Sequence, residues 1–245
     1  MKKLINKGLG PLGYVLAKKT ELARLLKAQV AARDLAVLSA LPHVHAGEIL
    51  DALPDSMAQL RQDLFVLSEL GFKRGGFFVE FGAANGKELS NTWLLEKRFG
   101  WSGILAEPAR CWHGPLAAHR GCAIEHDCVW KTTGETLEFL ETAEAELATL
   151  ADYQSVDMHA KARRSAKCYG VKTVSLADLL ARHHAPAAPD YLSIDTEGSE
   201  YEILREFDFA RHPFKVITCE HNHTSARAKI FELLTRAGYV RKFEA

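Results

Sequence analysis

The run Glu80-Phe-Gly82-Ala83-Ala84-Asn85-Gly86 sets a carboxylate beside two glycines. Glycine lets a backbone bend sharply and come close to a ligand, because a Cβ would obstruct either. A helix opening directly after such a bend offers unpaired N–H groups to a phosphate or carboxylate. Glu107 stands 21 positions past Gly86 (107 − 86), where an acidic side chain can accept hydrogen bonds from both hydroxyls of a ribose that lacks a 2′-phosphate. Asp127 and Cys128 follow in Glu125-His-Asp-Cys-Val; Asp127 suits the amino group of an adenine and Cys128 the lining of a base, while Asp127 taken singly is equally a surface-loop residue. Further on, Asp195, Glu197 and Glu220-His221-Asn222-His223 supply three carboxylates and two imidazoles. Oxygen-rich ligation of this kind suits a divalent cation such as magnesium or manganese, with Asp195 and Glu220 as ligands. The same groups offer a general base, with Glu197, Glu220 and His221 as candidates. Plainer readings stand beside these: Asp195 contacts a ligand's amino group, Glu197 and Glu200 act as helix N-terminal charges worth about 0.3–1 kcal/mol each, and His221 is a satisfied loop histidine.

The elements that must position these groups alternate between short apolar runs and helical patterns. Strands are expected at 77–81, 103–107, 122–126, 191–195 and 215–220, and helices at 85–99, 109–119, 199–206 and 225–237. Such alternation implies right-handed crossovers, a mostly parallel α/β sheet and a ligand crevice at the carboxyl ends of its strands. Ahead of it, residues 14–40 carry Leu22, Leu25, Leu26, Val30, Leu35 and Leu38 at helical spacing, read as a packing helix, with a partner-binding or membrane-surface helix as the alternative. Ser56 is placed to cap a helix over 57–70 that ends at Gly71. Residues 131–170 break the alternation with an acidic helix expected over 134–150 and a basic stretch at 159–167. This insertion is either a substrate lid or a solvated surface excursion, and His159, Arg163 and Arg164 within it could hold an anionic substrate. His183 and His184 are expected to be exposed.

Bulk composition narrows the field. The 245 residues carry 31 Lys+Arg and 31 Asp+Glu, a formal net charge of zero, so no global basic field calls for nucleic acid. Five cysteines without a CxxC pair point to free thiols in a reducing compartment. No apolar run approaches the roughly 20 residues of a membrane span, and Asn6 and Lys7 interrupt any signal-peptide core; a cytoplasmic protein is the expectation.

The glycine turn fits ExGxGxG with one Gly→Ala change, at Ala84, and so resembles motif I of S-adenosylmethionine enzymes. A nicotinamide fingerprint aligned on Gly82 would need glycines where Ala84 and Lys87 stand. Over roughly residues 56–240 the chain is similar to the FkbM-type methyltransferases. The resemblance rests on 56–64, on Phe77-Phe-Val-Glu-Phe-Gly-Ala-Ala-Asn-Gly, on Ile104-Leu-Ala-Glu-Pro, on 171–180, on Val216-Ile-Thr-Cys-Glu and on Gly238-Tyr239. Its most specific element is Tyr191-Leu-Ser-Ile-Asp-Thr-Glu-Gly-Ser-Glu. It implies a Rossmann-like, doubly wound methyltransferase domain at 56–245 behind a helical extension at 1–55. It implies S-adenosylmethionine as cofactor, held by Glu80, Gly82, Ala83, Asn85, Gly86, Glu107, Asp127, Cys128 and Asp195. The acceptor would be a hydroxyl of a sugar, glycan or natural-product-like small molecule. Such domains usually end in an antiparallel two-stranded hairpin, and seven residues follow Gly238. The rival expectation is a non-catalytic nucleoside-binding or scaffold subunit of a biosynthetic assembly.

Overall fold

The computed structural model describes residues 17–142, 149–150, 166–220 and 226–242. Five strands form the main sheet: β1 (Phe77–Phe81), β2 (Ser102–Ala106), β3 (Ala123–Glu125), β8 (Tyr191–Ile194) and β9 (Val216–Cys219). Their order is β3-β2-β1-β8-β9, and every neighbouring pair is parallel. Parallel strands need crossovers, supplied here by α4 (Trp93–Phe99), α5 (Arg110–His119), α6 (Leu176–Arg182) and α7 (Glu200–Arg205), with α8 (Ala226–Arg236) after β9. The sheet is the expected Rossmann-like α/β arrangement. Among the described residues no strand follows β9, so the hairpin implied by the resemblance is not found there.

Strand alternation divides the core into two layers. Phe78, Leu105 and Tyr191 face a cluster built with α2 (Ala46–Ala52), α3 (Gln62–Glu69) and α4. Val79, Phe81, Ile104, Leu192 and Ile194 face the opposite cluster. That cluster is completed by a second sheet, the main departure from expectation.

The acidic stretch after Gly134 is not a helix: Thr136–Glu141 forms strand β5 and Thr149–Leu150 forms strand β6. With β4 (Cys128–Trp130) and β7 (Lys167–Ser175) they make a four-stranded sheet in the order β4-β7-β5-β6. Glutamates spaced at three residues follow a helical period, but tertiary pairing overrides that local pattern: β7 pairs with all six residues of β5. The insertion is therefore half of a second sheet that packs into the core. Residues 151–165, with His159, Arg163 and Arg164, lie outside the described residues.

Two helices ahead of β1 also depart from their patterns. The first, expected over 57–70, starts at Gln62, because Arg61 is left-handed (φ 61°) and the Ser56 hydroxyl donates to buried Asp63, 2.7 Å away, instead of capping. The N-terminal helix α1 (Lys19–Ala40) buries no residue; Leu22, Leu25, Leu26, Val30 and Leu35 are exposed, so along most of its length it is not the packing helix expected. It is tethered near its end by Val37 and Leu38 and by the Arg61 guanidinium, which donates to both oxygens of Asp34 at 2.8 and 3.1 Å. Among the described residues no helix is long and apolar enough to cross a membrane.

Candidate functional site

β1 alternates so that Glu80 points to the Phe78 side of the sheet. There its carboxylate accepts from the Asn91 N–H (2.8 Å), the Ser90 hydroxyl (3.1 Å) and the Thr92 hydroxyl. The fully buried Arg120 guanidinium braces the same segment, donating to the Gly86 carbonyl (2.9 Å), the Ser90 hydroxyl (3.1 Å) and the Thr92 hydroxyl (2.8 Å). These charge-assisted bonds hold residues 86–92 in turns, so the helix expected from Asn85 begins only at Trp93. The helix N-terminus thus does not follow the glycine turn. Arg120 carried no sequence signal, since its partners lie about 30 positions away; a buried cation shows itself only once the chain is folded.

The two glycines serve different ends. A Cβ on Gly82 (φ 72°) would fall 1.8 Å from the Asp195 carbonyl oxygen, so this glycine lets the β1 turn meet the end of β8. A Cβ on Gly86 (φ 77°) would fall 2.5 Å from Leu116 Cδ1 and 2.7 Å from Arg120 Cγ, so this one makes room for the brace. Asn85 turns its side chain to the Lys87 and Glu88 N–H groups at 2.9 and 3.0 Å. Gly82, Ala83, Ala84, Glu88 and Asn91 line a crevice at the strand ends; Asn85 and Gly86 shape the turn behind it.

Glu107, at the end of β2, opens on the same crevice. One carboxylate oxygen accepts from the Ala84 N–H and the other from the Ala109 N–H, both at 2.8 Å. Each oxygen retains a lone pair for a further donor. Burial pushes this carboxyl up to about 7, and nearby Glu141 adds to the shift. Cys128 lines the crevice as expected, with Val129, Phe139 and Leu150 beside it. Asp127 is placed otherwise: it does not line the crevice, and one of its oxygens takes a 2.9 Å bond from Arg182, which also grips Glu125 at 2.6 Å. His183 is not exposed as expected but half-buried, 3.2 Å from the Glu125 carboxylate.

At the far side, Asp195, Glu197 and Glu220 each bring a carboxylate oxygen within 4.8 Å of the others. The Asp195 carboxyl is held well above its ordinary value by burial, and by Glu220 hydrogen-bonded beside it. Glu200 clamps the intervening turn by accepting from the Thr196 and Gly198 N–H groups at 3.1 and 3.0 Å. Glu197 sits in the left-handed region (φ 58°), as do Ala84 (φ 46°) and Leu89 (φ 62°) on the same crevice. Non-glycine residues in that region cost free energy and gather where a site fixes them. His221 lies outside the described residues.

A parallel sheet whose central strands end on one acidic crevice defines a Rossmann-like α/β protein, with its site at the reversal of strand order. Residues 80–241 match the family model described as the Methyltransferase FkbM domain. The chain belongs to that family, and at that level it is a methyltransferase. No curated protein and no solved structure matches the chain.

Proposed function

We propose that the chain is an S-adenosylmethionine-dependent O-methyltransferase whose acceptor is a hydroxyl of a sugar, a glycan or a natural-product-like small molecule. The observation that carries this reading is the junction of Gly82, Glu107 and Asp195 around one crevice. Its lining includes Glu88, Glu107, Asp195 and Glu197 and, among the described residues, no lysine, arginine or histidine. Such a surface suits a ligand that bears positive charge. Glu107 has acceptor capacity for ribose hydroxyls, and Asp195 would contact the donor's amino group.

The bound donor would supply a methyl group on a sulfonium, a good leaving group. The chain's task is then to align the acceptor, exclude water and take the hydroxyl proton. Glu197 and Glu220 are the carboxylates placed for that proton, with His221 next in sequence. A magnesium or manganese ion held by Asp195 and Glu220, with Glu197 in reach, would lower the acceptor's pKa instead. The oxygen donor set fits a hard cation, and a cation would relieve the crowding that raises Asp195.

Calorimetry with S-adenosylhomocysteine tests the donor site: binding is expected for the wild type and a loss of at least about tenfold for Gly82→Val and for Glu107→Ala. Wild-type affinity in both variants would remove the basis of the proposal. Incubating donor with glycan and metabolite panels, with and without magnesium, and looking by mass spectrometry for products heavier by one methylene tests the reaction.

A further inference from the structure

We propose that the inner face of the second sheet is the base-binding wall of this crevice, with Phe139 as the ring on which the donor's adenine rests. The inference depends on the reading above that an adenosyl donor occupies the crevice. Strand register carries it. Cys128 on β4 pairs with Thr173 on β7, Phe139 on β5 with Tyr169 on β7, and Leu150 on β6 with Phe139. Side chains alternate along a strand, so Cys128, Tyr169, Phe139 and Leu150 share one face. Three of them, Cys128, Phe139 and Leu150, line the crevice beside Glu107 and Pro108. The lining carboxylates thus come from the ends of β1, β2 and β8 and the turns after them, whereas among the described residues the second sheet contributes only Cys128, Val129, Phe139 and Leu150, none of them charged. A flat purine joined to a ribose matches that division.

The wall is also stiff. The Phe139 ring leans on Tyr169, with centroids 5.8 Å apart, and the Arg110 guanidinium lies over the Tyr169 ring, 4.2 Å from its centroid. The Tyr169 hydroxyl donates to Glu141 (2.7 Å) and accepts from the Arg110 N–H (3.1 Å), tying the sheet to the first turn after Glu107. Aromatic faces hold bases by stacking without reading their edges. The acidic residue that sequence alone suggested as a reader of the adenine amino group, Asp127, faces Arg182 instead. Base binding by shape and stacking is what this arrangement supports.

Calorimetry with S-adenosylhomocysteine and with adenosine, which share the base, separates the outcomes. Phe139→Ala is expected to weaken both ligands by the same factor, about tenfold or more. Leu150→Ala should weaken both by a smaller common factor, and Asp127→Asn should leave both within about twofold. Phe139→Leu keeps most of the core volume while removing the ring, and a loss of about threefold or more is expected even if the alanine variant does not fold. Unchanged adenosine affinity in the folded Phe139 variants would overturn the proposal, as would a large loss from Asp127→Asn alone. A wild type that binds neither ligand would overturn the donor reading and the wall with it.

Discussion

Glu107 shows how one side chain carries both architecture and binding. It joins the β1 turn to the end of β2 through two backbone N–H groups, and burial raises its carboxyl from 4.5 to about 7. The folded protein therefore holds this proton to higher pH than the unfolded chain does. Its contribution to stability is fully present below about pH 4.5 and falls as pH climbs toward 7. Binding runs the other way, because a ribose hydroxyl donates better to a carboxylate than to a neutral carboxyl. With a carboxyl pKa of about 7, the affinity for S-adenosylhomocysteine is expected to rise by up to about tenfold from pH 6 to pH 8. Glu107→Gln should flatten that profile, as calorimetry at the two pH values would show. A wild-type affinity that falls over this range would contradict the assignment.

At the scale of elements, α1 and α3 differ in what holds them. Residues 17–32 of the N-terminal segment are exposed along their whole length, whereas Leu64, Val66 and Leu67 of α3 are fully buried between α2 and the sheet. An exposed leucine contributes little to folding, and a leucine removed from a packed core leaves a cavity. Replacing Leu25 and Leu26 together by serine is expected to move the melting temperature by no more than about 2 °C. Leu64→Ala should cost about 2–5 kcal/mol in urea unfolding. A large destabilisation from the α1 pair would show that those leucines are covered in solution.

On the scale of the whole molecule, one carboxylate fastens the bottom of the sheet. Asp190 accepts from Lys73 (2.7 Å), from Lys215 at the start of β9 (2.7 Å) and from the Phe77 N–H that opens β1 (3.0 Å). Its carboxyl lies below the ordinary range: burial opposes the charge, but Lys215, Lys73 and the Phe77 N–H outweigh it. A lowered folded pKa means the stabilisation is present above the unfolded value of 3.8 and is lost as pH falls through the folded one. Both lysines are partly exposed, so solvent screening trims the gain. Asp190→Ala is expected to cost about 1–3 kcal/mol at pH 7 and less at pH 3, below the unfolded value of 3.8, measured by urea unfolding at each pH. An equal cost at both would assign the effect to packing alone.

The amino-acid sequence by itself determined the strands of the main sheet, because Phe77–Phe81, Gly103–Ala106 and Tyr191–Ile194 are apolar runs too short for anything but buried strands. It also placed Gly82, Glu107 and Asp195 at three strand ends, since in a parallel α/β sheet those ends face one crevice. What it left open was decided by contacts between distant segments. Glu80 and Arg120 hold residues 86–92 out of a helix that their local pattern allows. β7 draws the glutamate-rich stretch after Gly134 into a strand, and Arg182 turns Asp127 away from the crevice. Each of these outcomes rests on partners that meet only after folding, where burial raises the cost of an unpaired charge or backbone group above any local preference.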